Sequence, residues 1–383
     1  MKYLSTDFYE SFKCIGGECP FTCCAGNWTI PIDKETKREY DSVDGEFGQI
    51  LRENILSDDD SSFRFRLTED GRCSFLTSHN LCKIYQELGP EKLCYTCQIY
   101  PRIVFQCGDI LFRTLTLSCP EVSRMLFDKT EPISFCFAET PSNEDDKLSI
   151  DWDWFNTLVS CFVFSMKLIQ NRNYTLSARL RALLIFTFTM QTLLEENKDI
   201  APLLEAFSNQ NYLDEQLSSL EHLSSNVPVM YSAFLYFYQK TSASVHHFIL
   251  PSSANLMEEF INSNNKEELL TGIVESFHLL LNTTYDTQYE HFCVSFLFRN
   301  YFEAYTNKKP FEEVSKLVYA LLIARGYAVL LCSKGKGIST ENQISLFSRI
   351  SRILEHGHKN LEIIKTYFEK NGQTDISFLL ALV

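Results

Sequence analysis

Pro310-Phe311-Glu312-Glu313-Val314-Ser315-Lys316-Leu317-Val318-Tyr319-Ala320-Leu321-Leu322 opens the stretch that decides the fold class. Proline suits the first turn of a helix, where its missing N–H has no partner to lose. Phe311, Val314, Leu317, Val318, Leu321 and Leu322 then recur at helical spacing and form a wide apolar face. Apolar character continues from Leu317 to Cys332, interrupted by Arg325. Those sixteen residues fall short of the roughly 20 that cross a bilayer. The expectation is a buried helix and no transmembrane segment, with peripheral membrane contact as the lesser reading.

The same period extends outward. Ile344, Phe347, Ile350, Ile353 and Leu354 repeat it, Gly357 breaks it, and Leu361, Ile364, Tyr367 and Phe368 resume it before Gly372. No fixed repeat period marks a solenoid, and no strand–helix alternation marks a parallel sheet. The spacing therefore predicts packed helical hairpins over 150–383, a scaffold that covers another region or binds a protein partner. The acidic, polar segment Glu139 to Lys147 reads as a linker, placed at 139–149.

Before that linker the chain changes character, with ten of its fourteen cysteines in the first 119 residues. Residues 1–138 read as a small cysteine-rich α+β region, so the whole is expected to be mainly α. Asp33 is placed to cap a helix beginning at Lys34. Ile103–Gln106 and Ile110–Leu117 are β-prone runs around Gly108-Asp109, a two-residue hairpin signal. Cys107 and Cys136 lie in such apolar runs, where plain burial is expected. Cys161, Cys293 and Cys332 also stand in apolar surroundings.

Composition narrows the function classes. A hydrophobic content of 45% supports a core without disulfide staples, and a formal charge of −14 disfavours a nucleic-acid surface. The opening residues, Met1 to Glu10, lack a secretory signal, which leads to a cytoplasmic expectation. Thiols stay reduced there, so dense cysteines read as metal-binding or catalytic.

The first cluster is Cys14-Ile15-Gly16-Gly17-Glu18-Cys19-Pro20-Phe21-Thr22-Cys23-Cys24; the second runs through Cys73, Cys82, Cys94 and Cys97 to Cys119-Pro120. The short intervals Cys19/Cys23 and Cys94/Cys97 allow two thiolates to meet one ion on a single turn. Gly16-Gly17 permits backbone N–H groups to turn towards sulfur. Neighbouring side chains diverge on helices and strands, so the vicinal pair Cys23-Cys24 is expected to split its duties. Soft thiolates suit zinc and iron–sulfur clusters alike.

Phe12-Lys13-Cys14 through Cys19, Cys23-Cys24 with Trp28 and Ile32-Asp33, Gly71-Arg72-Cys73-Ser74-Phe75-Leu76, Leu81-Cys82-Lys83-Ile84-Tyr85, Thr96-Cys97, Tyr100-Pro101-Arg102 and Leu115 to Glu121 resemble the bacterial flagellin lysine-N-methylase family. The cysteine-rich segment is also similar to a wider group of zinc- or iron-chelating domains. This resemblance implies S-adenosylmethionine-dependent methylation of flagellin lysines in the bacterial cytoplasm, with an oxygen-sensitive [4Fe–4S] cluster. It places Cys14, Cys19, Cys23, Cys24, Cys73, Cys82, Cys97 and Cys119 on the family's cysteine pattern, and matches Cys94 less securely.

Other motifs carry less. Lys334-Gly335-Lys336-Gly337 follows an apolar helix rather than a strand, so it reads as a helix exit and not a nucleotide loop. The Cys-x-x-x-Cys-x-x-Cys spacing of the familiar radical enzymes is absent, since Cys24 follows Cys23 at once. Trp28, Tyr95 and Tyr100 are candidates to pack against a lysine stem, although covering the metal site is the simpler role. Arg102 is a candidate partner for a carboxylate, of the cofactor or of the protein. His246-His247 and His356-Gly357-His358 lack accompanying cysteines and read as surface or helix-end positions. The competing function is a zinc- or iron-binding or electron-transfer module whose helical half recruits a partner.

Overall fold

The computed structural model describes residues 2–26, 28–59, 62–139, 150–241, 245, 248–249, 271–272, 275, 285–332, 339–356, 360–373 and 375–383. Of the linker expected at 139–149, Glu139 instead ends a strand, and 140–149 lie outside the described residues, as do His246-His247, His358, Gly357 and Lys334–Gly337.

Among the described residues, seven strands form two small sheets. Strands β1 (Lys2–Thr6), β5 (Arg102–Cys107), β6 (Ile110–Leu115) and β7 (Phe135–Glu139) make the first, in the order β5-β6-β1-β7. Strand β1 runs parallel to β6 and antiparallel to β7. Strands β2 (Pro31–Ile32), β3 (Ile55–Asp59) and β4 (Ser62–Phe65) make the second, ordered β2-β4-β3. The expected hairpin is present as β5–β6, turning through Gly108 at φ 58°. That glycine also allows the turn to seat on Phe155, whose ring would lie 2.5 Å from an added Cβ.

The first third carries helices α1 (Lys34–Asp41), α2 (Gly45–Glu53), α3 (Lys83–Leu88), α4 (Tyr95–Ile99) and α5 (Pro120–Asp128). Asp33 caps α1 as expected, accepting from Thr36 N at 2.8 Å. Beyond the linker come α6 (Trp152–Ile169), α7 (Leu176–Glu195), α8 (Ala201–Ser208), α9 (Gln210–Glu221) and α10 (Val227–Lys240). They are followed by α11 (Asp286–Asn300), α12 (Glu303–Asn307), α13 (Pro310–Cys332), α14 (Thr340–His356), α15 (Asn360–Lys370) and α16 (Ile376–Leu380). Side-chain caps from Asp151, Thr175, Asn209 and Asn226 start α6, α7, α9 and α10. The chain is mainly α, with its sheets confined to the cysteine-dense end.

Helix α13 is the hub. At 23 residues it is long and apolar enough to cross a membrane, yet 83% of its most apolar stretch is buried, and it packs against α7, α10, α11, α12, α14 and α15. Protein packing on nearly every side is the arrangement of a core helix. Nearby, buried Glu290 takes charge-assisted bonds from Arg179 (2.6 Å) and Arg172 (2.8 Å). Arg181, also buried, donates to the carbonyls of Leu220 at 2.9 Å and Leu380 at 3.0 Å, tying α9 and α16 to α7.

Two apolar cores result. The large one runs from Phe8 to Val383 and includes Phe112 of the hairpin, whose ring meets Phe302 at 4.2 Å between centroids. The small one, with Ile30, Tyr40, Leu51, Phe65, Phe75 and Ile84, also contains Cys73 and Cys94. Strand β6 and helix α5 thus belong with the helices, and the cysteine-dense stretch feeds both cores. Burial departs from expectation at Cys136, which is exposed because β7 lies at the sheet edge; Cys107 is buried, as are Cys161 and Cys293.

Two substitutions test this packing. A Cβ at Gly326 would sit 2.3 Å from the Phe234 ring, so Gly326→Ala is expected to destabilise the protein by about 1–3 kcal/mol through overpacking. Removing Glu290 strands the buried Arg179 guanidinium, and Glu290→Ala should destabilise it by about 3–5 kcal/mol. Urea midpoints of both variants check these values, and a midpoint equal to that of the parent protein would contradict the packing described.

Candidate metal centre

The first cysteine loop is built from two short 3-10 turns, Gly16–Glu18 and Cys23–Ala25. Gly16 adopts φ 57°, which points its N–H back to Cys14 Sγ at 3.4 Å, the sulfur contact that the glycine pair suggests. The second cysteine group is joined to this loop through the backbone, where Cys73 N donates to Cys24 O at 2.7 Å. Trp28 Nε1 donates to Cys23 O at 2.6 Å and braces the turn from outside.

Three further cysteines sit immediately before helices: Cys82 before α3, Cys94 before α4 and Cys119 before α5, with Pro120 in the first turn. A helix start presents unpaired N–H groups and partial positive charge, which favour a thiolate. Burial works the other way. It raises Cys119 to about 12 against the N–H groups of Val122 and Glu121, and Cys73 to about 11 against that of Phe75. Burial likewise raises Cys82, with the N–H groups of Tyr85 and Ile84 opposing.

The thiols act on one another across the group. Cys24, through its hydrogen bond, draws Cys23 down to about 7 and is itself pushed up; Arg352 adds to the lowering of Cys23. Cys97 lowers Cys94 in the same way and is raised in turn. Cys19 and Cys119 each feel Cys23, and Cys24 feels Cys73 and Cys82. Eight of these sulfurs therefore share one electrostatic neighbourhood, while Cys14 stands exposed at its rim beside Cys19. Cys94 belongs to the group although the family pattern matched it insecurely; its two-residue interval from Cys97 was the available signal.

The vicinal pair departs from expectation. The 3-10 turn brings Cys23 Sγ and Cys24 Sγ to 4.0 Å, so the two side chains converge instead of dividing. In donor chemistry the group fits a soft, thiolate-bound metal or cluster: reduced sulfurs, most of them made harder to ionise by burial and by one another, are relieved by a cation. Among the described residues, however, no three His, Cys, Asp or Glu side chains close on one point at ion-binding distance.

The surroundings include a residue that local sequence gives no sign of. Arg352, on α14, is buried and donates to Ser118 O at 3.1 Å and Phe21 O at 3.4 Å, between the two cysteine groups. Gly26 leaves it room, since a Cβ there would lie 2.6 Å from Arg352 Nη1. The aromatic candidates divide. Tyr100 packs at 6.0 Å from Trp28, between ring centroids, with its hydroxyl 3.1 Å from Ser118 Oγ, whereas Tyr95 is exposed. Arg102 lies over the rings of Tyr9 and Phe12. Asp33 acts as a cap: burial would raise its carboxyl, but the N–H groups of Thr36 and Tyr95 hold it below the usual value.

Beside the thiol group, between the β5–β6 hairpin and helices α11 to α15, opens a cleft of about 660 Å³. Thr116 and Leu117 form part of its wall, two positions short of Cys119. Its ionisable groups include Glu303, Glu313, Glu355 and Glu362 against Arg299 and Lys316. Arg299 pairs with Glu355 at 2.8 Å, and Lys316 with Glu313 at 2.9 Å.

Residues 163–382 match the FliB lysine N-methylase C-terminal domain. The chain is 35% identical over 127 residues to a flagellar biosynthetic protein FliU of Salmonella muenchen, an alignment covering 32% of this chain and 75% of that one. It is 31% identical over 199 residues to lysine-N-methylases of Salmonella typhimurium and Salmonella choleraesuis, covering 48% of this chain. The chain spans about half the length of those two relatives, 46% in each case. No solved structure matches it. With the domain match running over more than half of its residues, the chain belongs to the FliB lysine N-methylase family.

Proposed function

We propose that this chain methylates lysine side chains of flagellin in the bacterial cytoplasm, using S-adenosylmethionine, and that its thiol group holds a [4Fe–4S] cluster. The observation that carries the reading is the insertion of Arg352, from the part of the chain that matches the lysine N-methylase domain, between Phe21 and Ser118 of the cysteine region. A partner-recruiting helical domain would have no need to place a guanidinium against Cys19 and Cys23.

S-adenosylmethionine, when bound, supplies an electrophilic methyl group, and a cluster supplies a redox-active centre. The residues of this chain have the remaining tasks. A lysine ammonium has no lone pair, so it must lose a proton before its nitrogen forms a bond to carbon. In the cleft wall, burial raises the proton affinity of the Glu313 carboxyl despite Lys316, which makes it a stronger proton acceptor than an exposed glutamate. The N–H groups at the starts of α3, α4 and α5, with Arg352, offset the negative charge of gathered thiolates. Cys19, Cys23, Cys24, Cys73, Cys82, Cys94, Cys97 and Cys119, with Cys14 at the rim, are the residues available to hold the metal.

One observation favours a second reading, a structural zinc ion. The 4.0 Å between the Cys23 and Cys24 sulfurs is near the ~3.8 Å edge of a tetrahedral zinc thiolate site. Iron, acid-labile sulfide and zinc assays on anaerobically purified protein separate the two. Iron and sulfide in equal amounts near four per chain are expected, and zinc without sulfide would overturn the cluster.

Incubation of that protein with methyl-labelled S-adenosylmethionine and flagellin is expected to put label on lysine. Absence of label with the metal centre intact would overturn the enzymatic reading. Arg352→Gln is expected to lower metal affinity about 10–100-fold, as loss of an outer partner does, with Arg352→Lys recovering part of it. A chelator competition series measures this, and affinity unchanged in Arg352→Gln would remove Arg352 from the site.

A further inference from the structure

We propose that the cleft between the hairpin and helix α11 is where S-adenosylmethionine binds, with Arg299, Glu355 and Ser295 receiving its polar groups. This rests on the preceding reading that the chain uses that methyl donor. The cleft's volume of about 660 Å³ suits a cofactor of this size, for which pockets run from about 300 to 1,000 Å³. Phe105, Phe292, Phe296 and Phe302 line it, giving an apolar aromatic wall against which a purine ring stacks.

Its polar groups are incompletely used. Ser295 is 7% exposed, faces the cleft, and its hydroxyl has no hydrogen-bond partner among the described residues. Buried polar atoms are nearly always paired, so an orphan hydroxyl aimed into a cleft marks a place for a ligand atom. Arg299 Nη1 lies 2.8 Å from Glu355 Oε1 yet makes no well-aligned hydrogen bond there. A guanidinium and a carboxylate side by side match the carboxylate and ammonium of an α-amino acid, each charge meeting its opposite. S-adenosylmethionine carries that end and a purine in one molecule.

Position completes the case. Glu355 is also hydrogen-bonded by Thr116, and the chain then runs Leu117, Ser118, Cys119 into the thiol group. A donor held on Arg299 and Glu355 is therefore one short loop away from the metal centre. Glu303 and Glu362 are exposed and border the same cleft, an acidic approach suited to a lysine ammonium.

Calorimetric titration with S-adenosylhomocysteine, together with hydrogen exchange on the full chain, tests the placement. The parent protein is expected to bind, with Arg299→Met weakening binding at least tenfold while its thermal midpoint stays close to that of the parent. Exchange should slow in the segments 103–107 and 292–306 on binding. If Arg299→Met fails to fold, the exchange map of the parent protein decides alone. Protection elsewhere, or binding unaltered in a folded Arg299→Met, overturns the cleft placement and leaves the cofactor reading standing. No binding by the parent protein overturns both.

Discussion

The contact of Arg352 with the carbonyl groups of Phe21 and Ser118 is the constraint on which the arrangement of the site turns. Residues 24–97 build a core of modest size, in which cysteines stand among aliphatic and aromatic side chains. Such a core gains little from apolar burial and has many thiols whose ionisation their neighbours oppose. A buried guanidinium supplied by α14 counters that charge. It also pins the loop 14–26 and the start of α5 to the same point of the helical half. The absence of a side chain at Gly26 belongs to the same contact.

The helical half can provide this anchor because its own framework is held by more than apolar packing. Helix α13 packs against six others, and the Glu290 carboxylate joins Arg172 and Arg179 beside it. Arg181 gathers the carbonyl ends of α9 and α16. Buried charges of this kind tolerate few alternative packings, since each displaced partner leaves an unpaired ion. The hairpin β5–β6 is secured to this framework by Phe112, whose ring meets Phe162, Phe298 and Phe302. The cleft is the space left where the hairpin, α11 and α14 come together, so both halves of the chain shape it.

Local features were legible in the sequence where a single turn or period decides them. The cap at Asp33, the turn at Gly108-Asp109, the helix from Pro310 and the contact of Gly16 N with Cys14 all follow from residues within a few positions of one another. Where the sequence misled, the cause was an unanticipated local geometry or neighbour. Cys23 and Cys24 converge because they occupy a 3-10 turn and not a regular helix or strand. Cys136 is exposed because its apolar run became an edge strand.

The sequence by itself determined the mainly helical class, the hairpin, the density of thiols and the family likeness, because each is written in spacing and residue type. Only the tertiary structure decided that the two cysteine groups meet, that Arg352 stands between them, and that Ser295, Arg299 and Glu355 share one cleft with Thr116. These are meetings between residues up to some 330 positions apart. Nothing in the local pattern of Arg352 or Glu355 distinguishes it from other charged residues on an amphipathic helix. Their roles arise from burial beside a particular neighbour, and burial is a property of the packed chain.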